Sequence, residues 1–81
     1  MILVDVEVPA LGMSYDFELD EEAMVSELTE KIMSMVGEQE GVALEKEKDM
    51  LLAAFQGKLI LEKGQSLSEQ GVANGHRLIL I

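Results

Sequence analysis

The sequence lacks cysteine and tryptophan, and it contains a single proline, a single histidine and a single tyrosine. Without cysteine there is no disulfide and no thiolate ligand for a metal ion, which fits a reducing compartment. The one histidine, His76, leaves no second imidazole for a nucleophile pair or a transition-metal site. Because it stands beside a turn, we expect His76 to be a polar surface residue. These absences remove the side chains from which most catalytic and metal centres are built.

Basic residues are also scarce, since 6 lysines and arginines stand against 16 acidic residues and the formal net charge is −10. A nucleic-acid partner is not expected, because affinity for a phosphate backbone depends on lysine and arginine. Anionic lipid would be repelled for the same reason. An acidic surface favours a basic partner, although it also suits a soluble domain that has no such partner.

Long apolar runs are missing too, and none approaches the roughly 20 residues that a membrane-spanning helix needs. No basic leader precedes the apolar residues after Met1, and Asp5 interrupts them, so a signal peptide is not expected. With 48% hydrophobic residues the chain is apolar enough to fold around a modest core. We therefore expect residues 1–81 to form a single domain without membrane insertion.

Residues 2–19 predict an antiparallel hairpin. From Val4 to Val8 apolar and acidic residues alternate, which is typical of a strand with one buried face. Pro9 lacks the N–H group that a sheet uses and should end this strand, while Gly12 suits the turn. Alternation then resumes from Tyr15 to Leu19. The inward residues would be Val4, Val6, Val8, Tyr15, Phe17 and Leu19.

After Asp20 the apolar period changes to three and four residues, which predicts an amphipathic helix from Glu22 to Val36. Asp20 is the predicted N-cap, and Gly37 is predicted to end the helix. Met33 falls outside the apolar stripe and Met13 lies at a turn, so both are expected to be exposed. The stripe would be formed by Met24, Val25, Leu28, Ile32, Met35 and Val36.

Two short strands are predicted after the helix. Residues 38–49 are highly charged and predict an exposed connection, with one helical turn near residues 43–48. Met50 to Phe55 and Lys58 to Leu61 then predict strands that flank a turn at residues 56–57.

The last part of the chain predicts a capped turn and a central strand. Ser66 should cap a short 3₁₀ turn that places Leu67 in the core. Asn74-Gly75 is a tight-turn signal before the final strand, 77–81, which is strongly apolar. The first and last strands are the most apolar, so we expect them to be central, adjacent and parallel. The fold class is therefore α+β, a β-grasp in which a mixed sheet in the order ββαβββ wraps one helix.

This sequence resembles the ubiquitin superfamily, and it resembles most closely the bacterial ubiquitin-like proteins of the YukD/EsaB family. Residues 57–68 are similar to ubiquitin's strand, acidic turn and Thr-Leu-Ser segment. Members of the YukD/EsaB family end in a pattern like L-x-x-x-G-I-x-N-G-D-x-L-x-I-L. Residues 67–80 repeat it closely, except that His76 replaces the usual acid.

The resemblance implies a small cytoplasmic accessory or regulatory factor of a type VII (WXG100/ESX-like) secretion system. Such a factor binds its partner without covalent attachment, so no enzymatic activity, cofactor or small-molecule substrate is expected. The partner would be a protein, either a membrane component of the secretion system or a second copy of the chain.

Two other functions stay open. Covalent modifiers and sulfur carriers with this fold need a flexible Gly-Gly tail, but this sequence ends with Leu80-Ile81 inside a predicted strand. Conjugation or sulfur carriage is therefore expected only if such a tail is missing here. The remaining alternative is a scaffold that dimerises through the exposed face of its sheet.

No catalytic, cofactor-binding or metal-binding residue is predicted. The acid pairs Glu21-Glu22 and Glu38/Glu40 are expected to be solvated, because the fold has little room for a pocket between carboxylates. Asp16, Glu18 and Asp20 match no EF-hand spacing. No glycine-rich phosphate-binding pattern occurs.

An interaction surface is predicted on the sheet face that the helix leaves open. Apolar residues are left over once the core is filled, and such residues on an exposed face favour a binding surface. Alternatively, the face tolerates apolar residues or the 38–49 connection covers it. The candidate residues, taken by position from ubiquitin's apolar patch, are Leu3, Pro9, Leu11, Phe55, Ile79 and Ile81.

Overall fold

Residues 1–42, 50–57 and 59–81 are described by the computed structural model, and they form a mixed sheet with one helix packed on it. The helix is α1 (Val25–Glu40). The strands are β1 (Ile2–Val8), β2 (Met13–Leu19), β3 (Leu52–Ala54), β4 (Leu59–Ile60) and β5 (Arg77–Leu80). Their order in the sheet is β2-β1-β5-β3-β4, with β1 and β5 adjacent and parallel at the centre. The predicted β-grasp fold is thereby confirmed.

The core lies between the sheet and α1, and it follows from alternation along the strands. On β1 the even-numbered residues are buried, and Val6 and Val8 are fully enclosed. On β5 the buried residues are Leu78 and Leu80, and the following Ile81 exchanges two backbone hydrogen bonds with Leu51, at 2.8 and 2.6 Å. The end of the sequence is thus held in the sheet, as predicted.

The helix begins later than predicted. Val25 follows Met24, the N-cap, whose side chain makes no capping hydrogen bond. The N–H groups of Val25 and Ser26 instead donate to the carbonyls of Gln65 and Lys63, at 2.9 and 3.1 Å. The first N–H groups of a helix have no acceptor within the helix. Here carbonyls of a distant loop accept their hydrogen bonds, so the helix needs no acidic cap.

The predicted N-cap, Asp20, lies in the turn before the helix, where its Oδ1 accepts the N–H of Glu22 at 3.0 Å. The prediction that Asp20 caps the helix was therefore wrong. Its carboxylate orders the approach to the helix, since an aspartate side chain that accepts a nearby backbone N–H forms a local turn.

The helix also ends later than predicted. Gly37 is buried inside α1, and the helix ends at Gly41, which has a φ of +71°. Three residues assigned to the exposed connection, 38–40, therefore belong to the helix. A left-handed C-terminal residue is the usual role of glycine, and Gly41 takes this role in place of the predicted Gly37. Residues 43–49 of the predicted connection, with the helical turn expected near 43–48, lie outside the described residues.

The methionine assignments were partly wrong. Met33 is buried, with 6% of its surface exposed, whereas Met24 and Met35 are 44% and 46% exposed. The buried face of α1 also includes the small residues Thr29 and Gly37. The predicted stripe left them out because it was drawn from large apolar residues only. The prediction that Met13 is exposed is confirmed.

The strands after the helix are shorter than predicted. Of the predicted strand Met50–Phe55, only the residues of β3 form a strand, and of Lys58–Leu61 only those of β4 do. Lys58 itself lies outside the described residues. On the hairpin, the predicted inward residue Tyr15 is only half-buried against the core.

Both predicted turns near the C-terminal end are confirmed. Ser66 and Glu69 exchange reciprocal hydrogen bonds around the short 3₁₀ turn, with Ser66 Oγ accepting the Glu69 N–H at 3.2 Å. At the tight turn, Gly75 has a φ of +88° and donates its N–H to the Leu3 carbonyl at 2.7 Å. Asn74 Oδ1 accepts the Leu3 N–H at 2.8 Å, so this turn is fixed to β1.

Candidate interaction surface

The face of the sheet that points away from α1 divides into two halves of different chemistry. Because side chains alternate along a strand, the neighbours of the buried residues point to this outer face. The β1–β2 half carries carboxylates, which we call the acidic half: Asp5, Glu7, Asp16 and Glu18. The half formed around β5, β3 and β4 carries apolar side chains, which we call the apolar patch: Leu51, Ala53, Phe55, Ile60, Ile79 and Ile81.

Strand register assembles the apolar patch. Ala53 pairs with Ile79 on one side and with Ile60 on the other, so these three side chains form a row across three strands. Ile81 and Leu51 stand opposite each other in the adjoining row. About half of the surface of Phe55, Ile60 and Ile81 is exposed, at 52%, 53% and 51%. Such a cluster is larger than the scattered apolar residues of an ordinary surface.

Arg77 lies at the boundary of the two halves. Its guanidinium carbon is 5.6 Å from the centre of the Phe55 ring, a distance at which a cation is attracted to an aromatic face. Its Nε donates to Asp5 Oδ2 at 3.2 Å, and its backbone N–H donates to Gln56 Oε1 at 3.0 Å. Arg77 therefore contacts the acidic half and the apolar patch at once.

The acidic half contains an unfavourable pair. Asp5 and Asp16 stand directly opposite each other on β1 and β2. Like charges at such positions destabilise a sheet, and the contact with Arg77 offsets the charge of Asp5 alone.

The structure brings three of the six predicted surface residues together, since Phe55, Ile79 and Ile81 belong to the apolar patch. Leu3 is 50% exposed, but it pairs with Glu18 in the acidic half. Pro9 and Leu11 lie in the 3₁₀ turn after β1, and Leu11 packs partly against the core.

The apolar patch also contains residues that sequence reasoning missed. Leu51, Ala53 and Ile60 were not candidates, because the candidates were only those residues whose positions match the apolar patch of ubiquitin. The signal that could have found two of them was alternation within the predicted strand 50–55, where residues 51, 53 and 55 share one face.

The single histidine, His76, forms hydrogen bonds within the fold. His76 Nδ1 accepts the Ala73 N–H at 3.2 Å, and the His76 carbonyl accepts the Asp5 N–H at 3.1 Å. Within residues 1–42, 50–57 and 59–81, no three acidic or histidine side chains converge on a position suited to a metal ion. In the same ranges, α1 is neither long nor apolar enough to cross a membrane.

The family is decided by a sequence model for the WXG100 protein secretion system (Wss) protein YukD, which matches residues 3–80. The chain belongs to the YukD family. The resemblance noted from residues 67–80 is therefore confirmed, and it associates this ubiquitin-like chain with type VII secretion. None of the curated proteins matches the sequence.

Solved structures with the same fold include a chain of the MycP5-free ESX-5 inner membrane complex. It is 28% identical over 99% of this YukD chain, with a TM-score of 0.78, and this chain spans 20% of its length. The EccD5 ubiquitin-like domain from Mycobacterium xenopi is 24% identical, with a TM-score of 0.72 and coverage of 99% and 91% of the two chains. A ubiquitin-like domain from Arabidopsis thaliana is 25% identical, with a TM-score of 0.73 and coverage of 99% and 74%.

Proposed function

We propose that this YukD-family chain is a cytoplasmic, non-enzymatic component of a type VII secretion system that binds a protein of that system through the apolar patch. The family match over nearly the whole chain carries the link to secretion. The likeness to a chain of an inner membrane complex supports a membrane component of the secretion machinery as the partner.

The chemistry of the apolar patch supports a protein partner. Protein interfaces place apolar and aromatic side chains at the centre and polar groups at the rim. Here the row formed by Ala53, Ile79 and Ile60 is the centre. Phe55 lies at one end of the patch, with Arg77 and Gln56 beside it. Aromatic residues and arginine are the side chains that most often contribute strongly to binding energy.

The test is a pull-down in which the tagged chain captures the detergent-solubilised membrane complex of its host's type VII system. Phe55→Asp should abolish capture, because it replaces the exposed aromatic ring of the apolar patch by a charge. Met24→Asp is the matched control, since Met24 is also exposed (44%) but lies at the start of α1, away from the apolar patch and from β2. Capture by Phe55→Asp equal to that of the parent, with an unchanged circular dichroism spectrum, would refute the proposed surface.

Sedimentation at two protein concentrations tests the other possible partner, which is a second copy of the chain. A mass that rises with concentration and returns to that of the monomer in Phe55→Asp would assign the apolar patch to self-association instead.

A further inference from the structure

A groove of about 400 Å³ runs between β2 and α1, on the edge of the molecule opposite to β4. Tyr15 and Phe17 of β2 contribute aromatic rings to it, and Met35 and Val36 of α1 contribute aliphatic side chains. Polar and charged residues complete the lining: Asp16, Glu18, Lys31 and Gln39. Met35 is a flexible, half-exposed side chain, which is suited to contact with partners of varied shape. The groove therefore offers both apolar and charged contacts beside a sheet edge.

The strand beside the groove, β2, has an unused hydrogen-bonding edge. It is 7 residues long and pairs only with β1, at one end of the sheet. Among the described residues, no backbone group of residues 13–19 hydrogen bonds outside the β1–β2 ladder. Every second residue of an edge strand turns its N–H and C=O away from its neighbour, so β2 can accept another strand.

The two edges of the sheet differ. The opposite edge, β4, is only 2 residues long, and short edge strands are a common protection against unwanted pairing. The longer β2 contains neither lysine nor proline, and its only charged residues are Asp16 and Glu18, whose acidic side chains repel an acidic strand but not a basic one.

The charge of this edge favours a basic occupant, because two acids, Asp16 and Glu18, line the groove with one lysine, Lys31. A strand added beside β2 would place alternate side chains on the outer face, next to Asp16 and Glu18, and the others over the groove. Asp16 already faces Asp5 on its other side, so a basic neighbour would offset an existing repulsion. A second copy of this chain would add its own acids and a net charge of −10, which opposes self-pairing.

We infer that β2 binds an extended segment of another protein by strand addition, with apolar side chains in the groove and lysine or arginine beside Asp16 and Glu18. Main-chain hydrogen bonds supply affinity in this mode, and the alternate side chains supply specificity. The site lies on a different part of the molecule from the apolar patch, so either can fail without the other.

The probe is a capped synthetic peptide of alternating valine and lysine, as long as β2, titrated into the isotope-labelled chain and followed by amide chemical shifts. Saturable shifts should be confined to β2 and the facing side of α1, and the affinity should fall as salt is added. A valine–glutamate peptide should bind about tenfold more weakly or worse. The same valine–lysine peptide, N-methylated at the residues whose N–H groups face β2, should lose binding, because it cannot donate to the edge.

Substitutions separate the groove from the edge. Met35→Gln should weaken binding of the valine–lysine peptide, while Met24→Gln, a change at an equally exposed methionine outside the groove, should not. The double variant Asp16→Lys/Glu18→Lys should reverse the preference toward the valine–glutamate peptide. The inference is overturned by an absence of saturable shifts, by shifts confined to the apolar patch, by equal binding of the N-methylated peptide, or by a β2–β2 dimer in solution.

Discussion

The guanidinium carbon of Arg77 lies 5.6 Å from the centre of the Phe55 ring, and the same guanidinium contacts Asp5. The Arg77 side chain thus contacts both the exposed ring of Phe55, which directly follows β3, and a carboxylate of β1. The consequence is an uneven charge distribution, because Asp5 has a cation at 3.2 Å while Asp16, directly opposite it, does not gain one from Arg77.

The first prediction concerns this carboxylate pair. Asp16→Asn should raise the free energy of unfolding by a few tenths of a kcal/mol, up to about 1 kcal/mol, because it removes a like-charge cross-strand pair. Glu18→Gln is the matched control, since it changes the net charge equally but removes a carboxylate opposite Leu3. Urea denaturation measures both, and an equal gain in the two variants would assign the effect to net charge alone.

The second prediction concerns Tyr15, whose hydroxyl donates a hydrogen bond to Glu40 at the end of α1. This hydrogen bond, with burial and the charge of Glu40 adding to it, raises the pKa of Tyr15 to about 12. Because the folded pKa is above the ordinary value of about 10, the hydrogen bond stabilises the fold fully below pH 10. Its contribution should be lost as the pH rises from about 10 through about 12.

The measurement is direct, because Tyr15 is the only tyrosine in the sequence. Tyrosinate absorbance should titrate near pH 12 in the parent chain and nearer to 10 in Glu40→Ala, which removes both the hydrogen-bond acceptor and the charge. Coincident titrations of the two proteins would contradict the contact between β2 and the helix.

The sequence was sufficient for much of the fold because the relevant signals are local. Apolar first and last strands predict the central β1–β5 pair, and alternation predicts which side of β1 is buried. The helix start was not predictable from local signals, because the groups that accept from Val25 and Ser26 are carbonyls of a distant loop.

The surface was predictable only in part. Exposed apolar residues such as Phe55 and Ile81 stand out in the sequence, but their grouping depends on register. Ile60 joins the apolar patch because it pairs with Ala53, and Leu3 is separated from it because it pairs with Glu18. A free strand edge beside a groove likewise exists only once the order of the strands is known.

The third prediction concerns the tight turn that joins the last strand to β1. Gly75→Ala should reduce the free energy of unfolding by about 1 kcal/mol, because its φ of +88° is strained for a residue with a Cβ. A steric clash is not the cause of this loss, since a Cβ at residue 75 would meet no atom within 4 Å. Gly64→Ala is the control, because it also has open space but no positive φ. Equal effects in urea denaturation would contradict the strained turn.

The fourth prediction tests which methionine faces the core. Met33 is 6% exposed and Met35 is 46% exposed, although both are apolar and two residues apart on α1. Met33→Ala should cost about 2 kcal/mol or more, because it removes buried methylenes and leaves a cavity. Met35→Ala should change stability by about 0.5 kcal/mol or less, since alanine favours the helix and little burial is lost. A reversed order in urea denaturation would mean that the helix is rotated about its axis, with Met35 toward the sheet and the β2–α1 groove closed.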